Sequence, residues 1–270
     1  DQKVRGVLAT FVNITERKRA EELVQAAKEE LETRVRERTA SLKEAMEQME
    51  EFSYTVSHDL RAPVRAMQGY AEVVLEEFGD RLDETAREYL DRIIRGGRRM
   101  DQLIQDILTY SRLSRREVQL EPVSLDKLLR DILQQYPGMQ PPGARITIVG
   151  ELPAVMGHEP SLVQAISNLL SNATKFVSSG TATRVMLRAE RRNGYVRLWI
   201  EDNGIGIRPE HQHRLFGLFE RIHPEQRYEG TGIGLAIVRK ALERMGGKVG
   251  VESDGLTGSR FWIQLPAAQA

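Results

Sequence analysis

Three clusters and one histidine hold the residues of this sequence whose types and spacing suit chemistry. In Asn168-Leu-Leu-Ser-Asn172-Ala-Thr-Lys175-Phe176 two amides stand four residues apart, with a lysine three further on. On a helix that spacing sets the amides on one face, with the lysine a turn away. Amide oxygens can ligate a hard cation such as Mg²⁺, which keeps several waters and bridges to phosphates. The lysine can neutralise those phosphates. Two solvated asparagines on a helix surface are the plain alternative. The second cluster, Asp202-Asn203-Gly204-Ile205-Gly206-Ile207, follows an apolar run. An aspartate at a strand end can accept a hydrogen bond from an adenine amino group, and glycines let backbone pass close to a flat base. An ordinary Asp-Asn-Gly turn is its bland reading. The third, Gly230-Thr231-Gly232-Ile233-Gly234-Leu235, opens a helix. Free amides and glycines at a helix start make an anion site suited to phosphates. It lacks the Gly-Lys-Ser/Thr ending of a Walker loop, and the stretch before it is not a clear strand, so a dinucleotide site is disfavoured. The polar segment between the second and third clusters, with Phe216, Phe219, Arg221 and His223, reads as a mobile lid with aromatic anchors.

His58 lies in EFSYTVSHDLRAPVRAM, residues 51–67. Phe52, Val56, Leu60, Val64 and Met67 form one helical stripe, and His58 falls off it, so its ring is expected in water. Pro63 removes an amide donor and presses on the carbonyl of Asp59, which predicts a helix loosened beside the histidine. A surface histidine with no role is the bland alternative. The other histidines read as bystanders: His211 and His213 are two apart and face different ways on a helix, while His158 and His223 fall on predicted solvated loops.

These groups need elements to position them. Residues 4–12 are apolar and β-branched enough for a strand, which needs a partner strand to be stable. From Glu16 to Glu51 the composition turns to Glu, Lys, Arg, Gln and Ala. Heptads counted back from Val56 place Met49, Leu42 and Val35 at one core position and Phe52, Ala45, Leu31 and Val24 at the other, with Lys28 and Arg38 interrupting. That predicts a modest coiled coil, a lone solvated helix being the alternative. Gly79-Asp80 should break the helix, Asp83 cap the next, and about 84–113 form a second helix with Ala86, Leu90, Ile93, Met100, Leu103, Ile104 and Ile107 apolar. Gly96-Gly97 predicts close packing or a bend there. One such hairpin has a wide apolar face, and two make a four-helix bundle, so a homodimer is expected.

Beyond Pro122 the pattern alternates. Helices are predicted at Leu125–Leu133, Pro160–Phe176 and Ile233–Met245. Strands are predicted at Arg145–Val149, Val185–Ala189, Val196–Ile200, Val249–Glu252 and Phe261–Leu265, with a hairpin at Asn193-Gly194. The fold class is α+β multidomain: an N-terminal coiled coil into a helical-hairpin dimer, then an α/β sandwich with a largely antiparallel sheet.

The length of 270 residues fits about two domains. Net charge is zero with 29% charged residues, which gives no pointer to nucleic acid or an anionic membrane. Absence of cysteine excludes disulfides and cysteine zinc sites, and fits a reducing compartment. With no run of ~18 apolar residues and no signal-peptide pattern, a cytoplasmic chain without a membrane segment is expected. Its start at Asp1 suggests a piece of something longer.

Taken in order, the motifs resemble the boxes of sensor histidine kinases. His58-Asp59-Leu60-Arg61-Ala62-Pro63 is similar to their phosphoacceptor box, Asn168–Lys175 to the N box, Asp202–Gly206 to the first glycine box, Phe216–Phe219 to the F box, and Gly230–Leu235 to the second glycine box. The match covers roughly residues 40–266. Residues 4–20 resemble the end of a PAS sensor domain, and HDLRAP with the short lid resembles the soluble kinases that include bacterial phytochromes. The resemblance implies residues 1–16 as the end of a truncated PAS-like domain, 17–50 as a coiled-coil signalling linker, 51–118 as the dimerisation and phosphotransfer hairpin, and 119–270 as the catalytic ATP-binding domain. It implies ATP and Mg²⁺, with His58 taking the γ-phosphate through Nε2 and Asp59 accepting from Nδ1. Asn168 and Asn172 would hold the metal, Lys175 and Arg221 would meet phosphates, Phe176 would border adenine, and Asp202 would read its amino group. Gly204, Gly206, Thr231, Gly232, Gly234 and Leu235 complete the implied nucleotide site. A response regulator receiver domain is the implied partner. Ala62 stands where kinases with strong phosphatase activity carry threonine or asparagine, which argues against that activity. Gly157-His158-Glu159-Pro160 replaces the usual Gly-Asp-Pro, with Glu159 or Ser161 expected to stand in. An ATP-binding scaffold whose nucleotide only sets conformation is the competing class.

Overall fold

The computed structural model describes residues 15–113, 118–135, 143–178, 180–222 and 230–268. The strand expected at 4–12, the PAS-like end at 1–16 apart from its last two residues, and His223 lie outside them. The chain divides after Phe52 into two units.

In the first unit, helix α1 starts at Thr15 and continues into the second unit as far as Phe78, 64 residues in all. Its early half is built from strong helix formers. Exposed i,i+4 pairs line it, such as Arg34–Glu30 at 2.6 Å and Lys28–Glu32 at 3.9 Å, each worth only ~0.3–0.5 kcal/mol. Val24, Leu31 and Val35 of the heptad seam stand exposed; the side chains of Leu42, Met49 and Phe52 are not among those described.

The second unit begins in the same helix. The helix does not break at Pro63. Proline deletes one donor, while the next residue, Val64, is 2% exposed and anchored in the hairpin. A 3₁₀ turn at Gly79–Arg81 ends α1. The Ala86 amide donates to Asp83 Oδ1 at 2.7 Å, and α2 runs Glu84–Leu113, as the local signals predict. Gly97 packs against Gln68, whose Cγ would lie 2.4 Å from a Cβ on the glycine. Arg61 Nε donates to Asp101 Oδ1 at 3.0 Å, and Arg98 pairs with Glu72 at 3.0 Å.

The expected single stripe on α1 is in fact divided. Ser57, Val64 and Ala71, seven apart, face α2 and are buried, as are Ile94, Ile104 and Leu108 of α2. Val56, Leu60 and Met67 remain exposed, with Tyr89, Ile93, Met100 and Ile107 of α2. A hairpin within one chain covers only one side of each helix. Spacing alone does not say which side that is.

The rest is a helix layer on a sheet. Strand β1 (Glu121–Val123) precedes α3 (Leu125–Gln135), β2 (Ala144–Val149), β3 (Val155–Gly157) and α4 (Glu159–Lys175). Then come β4 (Thr183–Arg192), β5 (Tyr195–Asp202), the short α5 (Pro209–Gln212), α6 (Gly234–Arg244), β6 (Lys248–Glu252) and β7 (Arg260–Pro266). The main sheet has the order β2-β4-β5-β7-β6, antiparallel except for β2 with β4. The β1–β3 ribbon was not expected; three residues in each strand are too few to leave a periodic signal. Asn193 and Gly194 both take positive φ, as a tight hairpin between β4 and β5 requires. Leu162, Ile166, Leu169 and Leu170 of α4 are fully buried with Leu129, Ile237, Leu187 and Ile200. This core fixes α4 over the sheet and leaves its Asn168–Lys175 edge at the rim.

Candidate functional site

The three clusters meet. One cavity of about 690 Å³ is walled by Asn168, Asn172, Lys175 and Phe176 from the end of α4, by Asp202 and Gly206 after β5, and by Arg221 and the turn Gly230–Leu235. The amide face expected from the four-residue spacing is therefore real, because α4 buries its leucine stripe and turns its asparagines outward. Asn168 Nδ2 donates to the Gly234 carbonyl at 3.2 Å, which ties α4 to the first turn of α6 and leaves Oδ1 for a ligand. Lys175 Nζ lies 5.3 Å from the centre of the Phe176 ring and beside Gly230.

Asp202 is built with care. Its Oδ1 accepts from the amides of Gly204 at 2.9 Å and Ser259 at 3.1 Å, while its own amide donates to the Ser259 carbonyl. Burial pushes its carboxyl up to about 6, against the pull of those two amides. Gly204 does not wall the cavity, but it is packed against the Phe176 carbonyl, which also accepts from the Ile205 amide at 3.0 Å. At Gly232, φ is +75° and a Cβ would fall 2.9 Å from the Phe219 carbonyl carbon, so this turn fits only glycine. Phe216 packs against the core, whereas Phe219 is exposed, so only one of the two expected aromatic anchors is anchored in this chain.

Amide oxygens with a nearby lysine fit a magnesium–phosphate unit. Among the described residues no group of three His, Cys, Asp or Glu could hold a metal alone; an ion on the two amides would take its remaining ligands from water and phosphate.

His58 and Asp59 are not in this wall. The His58 ring is on the exposed side of α1, its side chain 73% accessible, with Nδ1 3.2 Å from Asp59 Oδ1. His158 departs from expectation: it is half-buried, its Nδ1 2.8 Å from the buried Ser161 Oγ at the start of α4. Ser161, one of the two proposed stand-ins, thus pairs with the histidine itself. His211 is half-buried beside Glu210 and His213 is exposed.

Two parts of the site were missed. Ser259 follows Gly258, where a Cβ would lie 2.0 Å from the Asp202 carbonyl oxygen. The glycine pair Gly255 and Gly258 ahead of the last strand was a usable signal. The other part is a wall from α2, comprising Arg98, Arg99, Gln102 and Asp106. Only the fold brings it there.

Comparison with known proteins gives two family matches. A model of the His Kinase A (phospho-acceptor) domain matches residues 48–116. A model of the histidine kinase-, DNA gyrase B- and HSP90-like ATPase matches residues 157–269. Phytochrome-like protein Cph1 of Synechocystis sp. is 32% identical over 98% of this chain and 34% of its own length. Sensor histidine kinase AruS of Pseudomonas aeruginosa is 34% identical over 91% of this chain and 26% of its own. The structure of full-length ShkA in complex with AMPPNP aligns with a TM-score of 0.61 at 30% identity, covering 82% of this chain and 46% of that one. The chain therefore spans about a quarter to a third of the length of these curated relatives.

Proposed function

This chain carries the phosphoacceptor and ATPase domains of the histidine kinases, and on that premise we propose that it is an ATP-dependent protein-histidine kinase that phosphorylates His58. The observation that carries the reading is the convergence of the Asn168–Lys175 face, Asp202 and the Gly230–Gly234 turn on one cavity, in a chain that presents a histidine to solvent.

Adenine would sit against Phe176 with its amino group donating to Asp202. Asn168 and Asn172 would hold Mg²⁺, which supplies charge neutralisation at the phosphates, and Lys175, Arg221 and the amides of the glycine turn would hold the phosphates themselves. Phosphoryl transfer asks for positioning and charge neutralisation more than covalent help. At His58, Asp59 favours the tautomer with its proton on Nδ1, so Nε2 keeps the lone pair. Nε2 attacks the γ-phosphorus, the bond to the bridging oxygen breaks, ADP leaves, and the Nδ1 proton is released toward Asp59. The phosphoryl group then passes to an aspartate of a response regulator docked near His58. Leu60, Met67, Ile93 and Met100, exposed in one chain, would be covered by a second copy, giving a four-helix bundle fed by the seam in residues 17–50. Among the described residues no helix is long and apolar enough to cross a membrane. A PAS-type sensor would precede the seam.

The test is His58→Gln. Labelling from γ-³²P ATP should vanish, and the wild-type label should be acid-labile and base-stable. Label that survives the substitution would sink the assignment of His58, and a wild-type chain that takes no label at all would favour the scaffold reading.

A further inference from the structure

The cavity wall from α2 holds a group that does not belong with a triphosphate. Asp106 Oδ2 accepts a 2.5 Å hydrogen bond from Thr231 Oγ1, across 125 residues of sequence. Its Oδ1 accepts from Gln102 Nε2 at 2.8 Å, so the half-buried carboxylate is held on both sides. Thr231 is the second residue of the glycine turn, and its hydroxyl also accepts from the Ile233 amide at 3.3 Å. A fixed negative charge therefore stands at the mouth of α6, where the free amides favour an anion.

We propose that the Asp106–Thr231 contact is a latch that holds the ATPase domain on α2 without nucleotide and that an incoming triphosphate must break. It rests on the ATP reading of the cavity. Two anions cannot share the Gly230–Gly234 turn without repulsion, and in a half-buried site that repulsion is weakly screened. Although Arg98 and Arg99 line the same wall, bound phosphate and the latch therefore oppose one another at this turn. By linkage, each weakens the other by the same factor.

The hairpin register adds a consequence. Arg61 reaches both Asp101 at 3.0 Å and Gln105 at 3.3 Å. Since α1 and α2 run antiparallel, this brings Asp106 to about the height of His58. The ring itself is outside the cavity wall. Latched, the domain is parked at the level of its acceptor but against the neighbouring helix. Release by nucleotide frees it to move toward the histidine, so the enzyme leaves its resting contact only when it is loaded.

The experiment is calorimetric titration of the 270-residue chain with Mg²⁺ and a non-hydrolysable ATP analogue, for wild type, Asp106→Ala and Asp106→Asn, with Asp101→Ala as the control for general loosening of the hairpin. Both Asp106 variants should bind at least ~5-fold tighter, the lower end for coupled sites, with Asp101→Ala unchanged. Equal affinity in wild type and Asp106→Ala overturns the latch, as does an equal gain in Asp101→Ala. If wild type and variants alike fail to bind the analogue, the ATP reading itself falls.

Discussion

The two ends of the second unit are stabilised in opposite ways. In the ATPase domain the helices α3, α4 and α6 close one face of the sheet, and Leu129, Ile166, Leu170 and Ile237 are inaccessible to solvent. In the hairpin only Val64, Ala71, Ile94, Ile104 and Leu108 among the described apolar residues are buried, while Leu60, Met67, Tyr70, Ile93 and Met100 are exposed. The first is a self-sufficient core; the second is half of one. Their chemistry divides along the same line. The groups that line the cavity are fixed by bonds between distant segments, such as Ser259 to Asp202 and Asn168 to Gly234. His58 has one neighbour on its own helix, Asp59, and otherwise faces solvent. Under the proposed function, an acceptor histidine that would have to meet both a kinase domain and a receiver domain needs to be accessible, whereas a nucleotide site needs to be pre-formed.

Three experiments would sharpen or break that contrast. The largest effect is expected from Leu170→Ala, which opens a cavity in the closed core and should destabilise it by ~2–5 kcal/mol. Urea unfolding followed at Trp199 and Trp262 would measure it, and loss of hairpin helicity in the same transition would show that the two regions are not independent. Next, Leu60→Lys combined with Ile93→Lys places charges on the exposed hairpin face. Dimer affinity measured by sedimentation should weaken by about 100-fold, ~3 kcal/mol, with nucleotide affinity unchanged. A variant that remains as dimeric as wild type would remove the half-core argument. The smallest effect concerns Asp202. Its carboxyl titrates at about 6 in the folded protein, against an ordinary value of 3.8. The folded state therefore holds a proton that the unfolded chain has lost between ~4 and ~6. Stability should fall as pH rises through that window and then level off. An adenine amino group bound as proposed is held more strongly by the ionised acceptor, so analogue affinity should drop as pH falls below about 6, by at most ~10-fold per unit. Asp202→Asn should abolish the part of the pH dependence not due to the phosphates themselves.

Much of this was legible because its signals are local. The break at Gly79-Asp80 and the Asp83 cap fix α2 at Glu84–Leu113. The leucine spacing of α4 settles which face its asparagines take, and Asn193-Gly194 fixes the β4–β5 register. What failed was non-local. The periodicity on α1 is real, but the choice between Val64 and Leu60 as the inward residue depends on α2. Pro63 announces a defect that packing absorbs. The solvated loop expected for His158 is instead a contact with Ser161.

Sequence by itself determined the elements, the amide face, the glycine turns and the exposed position of His58, since each follows from residue spacing over a few turns or from backbone freedom at a glycine. Tertiary structure alone decided that these clusters share one cavity, that Ser259 holds Asp202, and that Asp106 reaches Thr231. Such contacts join segments up to 125 residues apart, and they form only because burial of the core brings those segments together.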